Sequence, residues 1–231
     1  MTNTLGNPTM GFQSFGSDEG AAPTAGMTPV WIASTDTGYF FRGDPVITST
    51  APGANASGAY ITSINTIAQS SSFLVRGIFQ GCYQYQPSVG RVVWSNSYQG
   101  TVTGSTGDVK AYVIDNPDQQ FIVQASTNGA ITSSMIGGNI SVSTGSTTGN
   151  TTTGYSNITV MSTSYTASSS YPFRLVDFYS AYAPGGGAFG NVNFGSSATN
   201  VVNGLDNSNP ANIVVVRMNN CDRMQLTARS T

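Results

Sequence analysis

The sequence predicts an all-β protein: a small β-barrel or sandwich core with an extended N-terminal arm and long Gly/Ser/Thr-rich loops. Three observations carry this. From Trp31 onward, short apolar runs are separated by turn residues. Those runs are enriched in β-branched and aromatic side chains, and no long stretch carries the 3.6-residue period of a helix. Disorder is the rival explanation for so many Ser, Thr and Gly residues, but disordered chains lack the Phe, Tyr, Val and Ile found throughout this one.

Residues 1–29, including "GNPTMGFQSFGSDEGAAPTAGMTP", follow neither period and predict an extended arm. Phe12 and Phe15 need burial that so thin a segment cannot provide, which makes them, with Trp31 just beyond, apolar anchors for another surface. The competing expectation is a floppy terminus. Residues 30–231 are expected to form a single β domain, beginning with "VWIAS", "YFFRGDPVITS", "AYITSINTIA", "SFLVRGIFQGCYQY", "GRVVWSNSY", "VKAYVID" and "QFIVQAS". In "RGDPV", Gly43 and Asp44 turn the chain into a strand with Pro45 at its first position.

"YVIDNPDQQFIVQAS" poses a sharper question, because Asp115 and Asp118 could be the two carboxylates of a glycosidase. Asp, Asn and Pro117 between strands are ordinary turn chemistry. The flanks alternate, with Val109, Ala111 and Val113 facing opposite to Lys110, Tyr112 and Ile114. A hairpin corner is therefore expected, not a catalytic pair. Residues 137–157 and 183–210 read as irregular loops. Between and after them the core resumes with "SNITVMSTSYTAS", "YPFRLVDFYSAY" and "NIVVVRMNN", whose apolar run from Ile213 to Val216 requires cover on both faces.

Charged residues make up 8% of the 231, with one lysine, Lys110, and one glutamate, Glu19, against roughly a quarter in ordinary domains. Such a surface loses little side-chain entropy when ordered, which favours association. A net charge of −2 and scattered arginines argue against phosphate-backbone binding, so no nucleic-acid partner is expected. No apolar stretch approaches a membrane span, and "MTNTLGNPTMGF" lacks the basic start and apolar region of a signal, so use without secretion is expected and no membrane partner. The sequons at Asn55, Asn139, Asn150 and Asn157 are then chance products of composition. Cys82 and Cys221 could pair, but two cysteines far apart in an unsecreted chain are more often free and buried.

There is no histidine. Ser-His-Asp and Cys-His catalysis lack their base, and two cysteines cannot close a tetrahedral zinc site. Oxygen-rich "GLDNSN" could hold Ca²⁺ only weakly. "PGGGAFG" lacks the strand-to-helix context of a phosphate loop. The expectation is no enzyme, no cofactor and no metal.

Five blocks carry a resemblance: "GDPV" at 43–46, "LVRGIFQGCYQYQP" at 74–87, "VKAYVIDNPDQQFIVQA" at 109–125, "YPFRLVDFY" at 171–179 and "ANIVVVRMNN" at 211–220. As an ordered set they resemble the head-decoration, or cement, proteins of tailed bacteriophages, including phages of aquatic bacteria and cyanobacteria. The resemblance implies a structural protein, made in the host cytoplasm, that binds the outer surface of the virion capsid. Its partners would be the major capsid protein, whose neighbouring capsomers it staples, and copies of itself, as a homotrimer in preference to a dimer. Phe12, Phe15 and Trp31 would be its contacts. The alternative is a phage tail or adhesin-type receptor-binding protein whose Tyr155, Tyr182 and Phe189 touch host glycans.

Overall fold

Period-two alternation within a strand gives it two different faces, and here the two faces feed two different cores. The computed structural model describes residues 11–17, 26–49, 58–64, 72–100, 107–126, 128–143, 149–179, 201–202, 205–206 and 212–224. Among these residues it is nearly all β, 52% strand, with no helix of seven residues or more, around a closed five-strand barrel. The strands are β1 (Gln13–Ser17), β2 (Thr28–Ile32), β3 (Tyr39–Phe41), β4 (Pro45–Thr48), β5 (Tyr60–Ser63), β6 (Gly77–Gln86), β7 (Arg91–Ser95), β8 (Ser97–Gln99) and β9 (Val109–Ile114). After them come β10 (Gln119–Gln124), β11 (Asn139–Ile140), β12 (Val142–Ser143), β13 (Thr159–Val160), β14 (Phe173–Phe178), β15 (Val201–Val202), β16 (Leu205–Asp206) and β17 (Ile213–Met218).

The barrel runs β4-β5-β2-β9-β6 and closes through a β4–β6 pairing, with β7 continuing outward from β6. Within it β2 and β5 are parallel and the other pairings antiparallel. Inward-facing residues fill the interior: Val30 and Ile32 of β2, Val109, Ala111 and Val113 of β9, and Phe79 and Cys82 of β6, three positions apart because the register shifts between Phe79 and Gly81, joined by Phe40 of β3 and Tyr98 of β8. Ile78 and Ile114, on the opposite alternates, belong to a second core with Phe121, Val123, Phe173, Leu175, Val214 and Val216. That core packs a five-stranded antiparallel sheet, β1-β10-β17-β14-β11, against the barrel wall. Each such side chain taken from water stabilises by about 1.5–3 kcal/mol. The apolar run in β17 is covered on both faces, Val214 and Val216 by this core while Val215 is 3% exposed.

Three expectations are corrected. Residues 13–17 are not a free arm: they form the edge strand β1, antiparallel to β10, and Phe12 is 1% exposed within the second core. An aromatic segment with no interior of its own has packed onto its own domain. The Asp115–Asp118 bend is not a hairpin, because β9 belongs to the barrel and β10 to the sheet; it is a corner between the two. Finally, residues 137–157 are not all loop, since Ile140 and Val142 in β11 and β12 are fully buried. The second expected loop, 183–210, lies outside the described residues except for the paired β15 and β16.

Candidate functional site

Between β3 and β4 the chain turns at Gly43 and Asp44. Gly43 has a φ of 95°, and a Cβ there would come within 3.0 Å of the Phe12 backbone, so glycine is required. Asp44 accepts the Phe41 N–H at 2.8 Å through its carboxylate and the Phe79 N–H at 2.8 Å through its carbonyl, both while 2% exposed. Pro45 opens β4. The Arg-Gly-Asp triplet is thus built into the junction of β3, β4 and β6 and not displayed.

Asp115 and Asp118 differ in kind. The Asp115 side chain is 3% exposed and accepts from Thr28 Oγ1 at 2.8 Å and Arg223 Nη1 at 3.0 Å, with Arg76 Nη1 at 3.3 Å from its other oxygen. It ties β2, the approach to β6 and the turn after β17 together. Asp118 is exposed, and its N–H donates to Asn116 Oδ1 at 3.1 Å, so Asn116 and not an aspartate caps the corner, beside half-buried Pro117. A carboxylate bound by two guanidiniums and a second in solvent are a structural brace and a turn.

The expected anchors separate as well. Phe12 lies between Phe173 and Phe121, at ring-centroid distances of 4.5 and 6.3 Å, and has no surface to offer a partner. Phe15 is 45% exposed and meets Tyr179 edge-on at 5.5 Å. Trp31 is half-buried on the outer barrel wall, where Gly58 leaves room for its indole; a Cβ at that glycine would lie 2.6 Å from Trp31 Cδ1. Tyr155 is 39% exposed, with the Arg42 guanidinium 5.8 Å above its ring. Tyr182 and Phe189 lie outside the described residues.

Around Trp31 the barrel wall carries an aromatic face that no single motif announces. The strand registers place Trp31, Lys110, Tyr83 and Trp94 in one row across β2, β9, β6 and β7. Tyr112 stands in the next row, and its ring lies 6.0 Å from Tyr83 and 5.7 Å from Trp94. Tyr83 and Trp94 meet edge-to-face at 5.3 Å, and the Lys110 ammonium sits 5.7 Å over Tyr112. Tyr83 and Trp94 remain 45% and 42% exposed. Gly81 makes the cluster possible: its φ is 145°, and a Cβ there would lie 2.4 Å from Trp94 Cζ2. Glycine inside a strand signals such a close approach, and "GCYQY" beside "VVWS" shows the alternation, but which alternates stay outside follows only from barrel closure.

Both thiols are free and buried, as expected, Cys82 in the barrel and Cys221 in the second core. Cys82 Sγ donates to the Ser97 carbonyl at 3.8 Å, and burial pushes its pKa up to about 12, far from a nucleophile's range. Among the described residues no three His, Cys, Asp or Glu side chains group so as to hold a metal ion, and most of "GLDNSN" lies outside them. The arrangement offers aromatic and apolar surface for contact, with one ammonium at its centre. Set against protein-family models, curated proteins and solved structures, the chain matches none.

Proposed function

We propose that this chain is a structural virion protein that binds the outer surface of a bacteriophage capsid and staples neighbouring capsomers of the major capsid protein, acting as a homo-oligomer. One observation supports this above the others: Tyr83, Trp94 and Tyr112 form a partly exposed aromatic face on a chain with a single lysine and a single glutamate. Aromatic side chains on a weakly charged surface supply contact area at low entropic cost, and symmetry multiplies modest contacts into high avidity. The test is sedimentation of the purified protein with undecorated shells of the phage that carries its gene. Saturable binding at hundreds of copies per shell is the expected result, on the order of one per capsomer contact. A Tyr83→Ser, Tyr112→Ser variant should lower affinity on the order of tenfold or more. Shells that bind no wild-type protein would exclude the function; shells that bind both proteins equally would exclude only the face.

Tyr155 under Arg42, just after the end of β3, favours a second reading as a glycan-contacting tail protein. A handful of copies per virion, in place of hundreds, would select it.

A further inference from the structure

We propose that β7 is a self-pairing edge: two copies of this chain join their β7 strands antiparallel about a two-fold axis at Val93, giving a four-stranded ribbon ordered β6-β7-β7′-β6′. The starting point is how far β6 outruns the barrel. Its pairing with β9 stops at Tyr83, whereas its pairing with β7 continues to Gln86 and Arg91. Beyond Tyr83, therefore, β6 and β7 form a two-stranded ribbon in which no residue from Tyr83 to Ser95 is buried. A lone two-stranded ribbon is marginal in water, and three or more strands with an apolar face are needed for stability.

Among the described residues the outer edge of this ribbon is open to pairing, since β7 pairs with β6 alone. Its sequence "RVVWS" holds no Lys, Asp, Glu or Pro, and its register with β6 runs without a bulge. These are the devices that normally blunt an edge strand. In their place stand Val92 and Trp94, 61% and 42% exposed.

The strand is complementary to itself. An axis at Val93 sets Val92 opposite Trp94′ and Trp94 opposite Val92′, two aromatic–β-branched pairs on one face, and these are favourable cross-strand contacts. Arg91 then faces Ser95′, and the two guanidiniums lie at opposite ends, roughly 14 Å apart along the strands. Moving the axis to Val92 brings them to about 7 Å and leaves Trp94 opposite Gly90′, losing the apolar match. The pairing extends the aromatic face of each copy into a continuous surface. It is two-fold, unlike the trimer that the resemblance implies, and it stands whether or not the partner surface is a capsid.

Sedimentation velocity over a range of concentrations should show a reversible monomer–dimer equilibrium. Val92→Glu, at a position exposed enough to leave the fold intact, places a carboxylate against the negative ring face of Trp94′ twice and should raise the dimer dissociation constant roughly tenfold. Val93→Cys tests the register. With copper phenanthroline as oxidant, the two thiols introduced on the axis lose two electrons and two protons to form an intermolecular disulfide. Val89→Cys, in the exposed turn and far from the axis, should not cross-link, and buried Cys82 and Cys221 do not compete. A wild-type protein monomeric at every concentration, an unchanged constant for Val92→Glu, or equal cross-linking at positions 89 and 93 would each overturn the proposal. Shell binding measured on the same variants keeps this outcome separate from that of the proposed function.

Discussion

Removing the Phe12 ring would leave a hole between Phe173 and Phe121 that the surrounding sheet cannot close, because the site joins an edge strand to the interior. Phe12→Ala should therefore cost about 3–5 kcal/mol in urea unfolding. A loss below about 1 kcal/mol, the scale of surface substitutions, would show that the ring lies outside the core. The two aspartates of the corner give a matched comparison. Asp115→Asn leaves Arg76 facing a neutral group in a buried setting and should cost about 2–3 kcal/mol, reduced from the full value of a buried pair because Arg223 is half in solvent. Asp118→Asn should stay within about 0.5 kcal/mol. If Asp118→Asn proved the more damaging, the brace assigned to Asp115 would be wrong.

At the level of the strand, β6 shows what one residue can control. Gly81 lies at a register shift between Phe79 and Gly81, with a φ open to glycine, and lets Trp94 cross its backbone. Gly81→Ala should displace that indole, shifting tryptophan fluorescence toward the red, and cost about 1–3 kcal/mol; an unchanged spectrum and midpoint would refute the close approach. Strands of this kind were legible in sequence where period two was strong. The alternation of Val109, Ala111 and Val113 is the barrel wall of β9, and the run from Ile213 to Val216 is the doubly covered β17. The corner at Asn116–Pro117 was legible as a bend, but local turn chemistry does not say which sheet the next strand joins, and here it changes sheets. β1 was hidden for the same reason, because its partner β10 stands more than a hundred residues along the chain. The exposed aromatic face was not legible: Tyr83 and Tyr85 alternate in "GCYQY", but closure of the barrel between β4 and β6 decided which side met water.

For the molecule as a whole, two cores share one wall, and each holds a thiol. Burial pushes Cys82 from an ordinary 9.0 up to about 12 and also raises Cys221. Burial, then the nearby Asp36 carboxylate, pushes the Tyr98 phenol from 10.0 up to about 12. Each group is held neutral in the folded state, so its contribution is complete below its unfolded pKa and lost as pH rises toward the folded value. Stability should fall between pH 9 and 12, by up to about 1.4 kcal/mol per pH unit for each group titrating only in the unfolded chain. Urea midpoints across that range would show it, and Cys82→Ala should flatten the first part of the decline; an identical decline in the variant would place the cause elsewhere. The position of β17 has a different consequence. It lies between β10 and β14 at the centre of the five-stranded sheet, yet it is contributed by residues 213–218. During synthesis β10 and β14, each already able to pair with its outer partner β1 or β11, must therefore wait without their shared neighbour until residue 218 has left the ribosome tunnel. The barrel strands, all emerged by residue 114, can close long before, so a stalled nascent chain should carry a finished barrel and an exposed half-sheet in need of a chaperone.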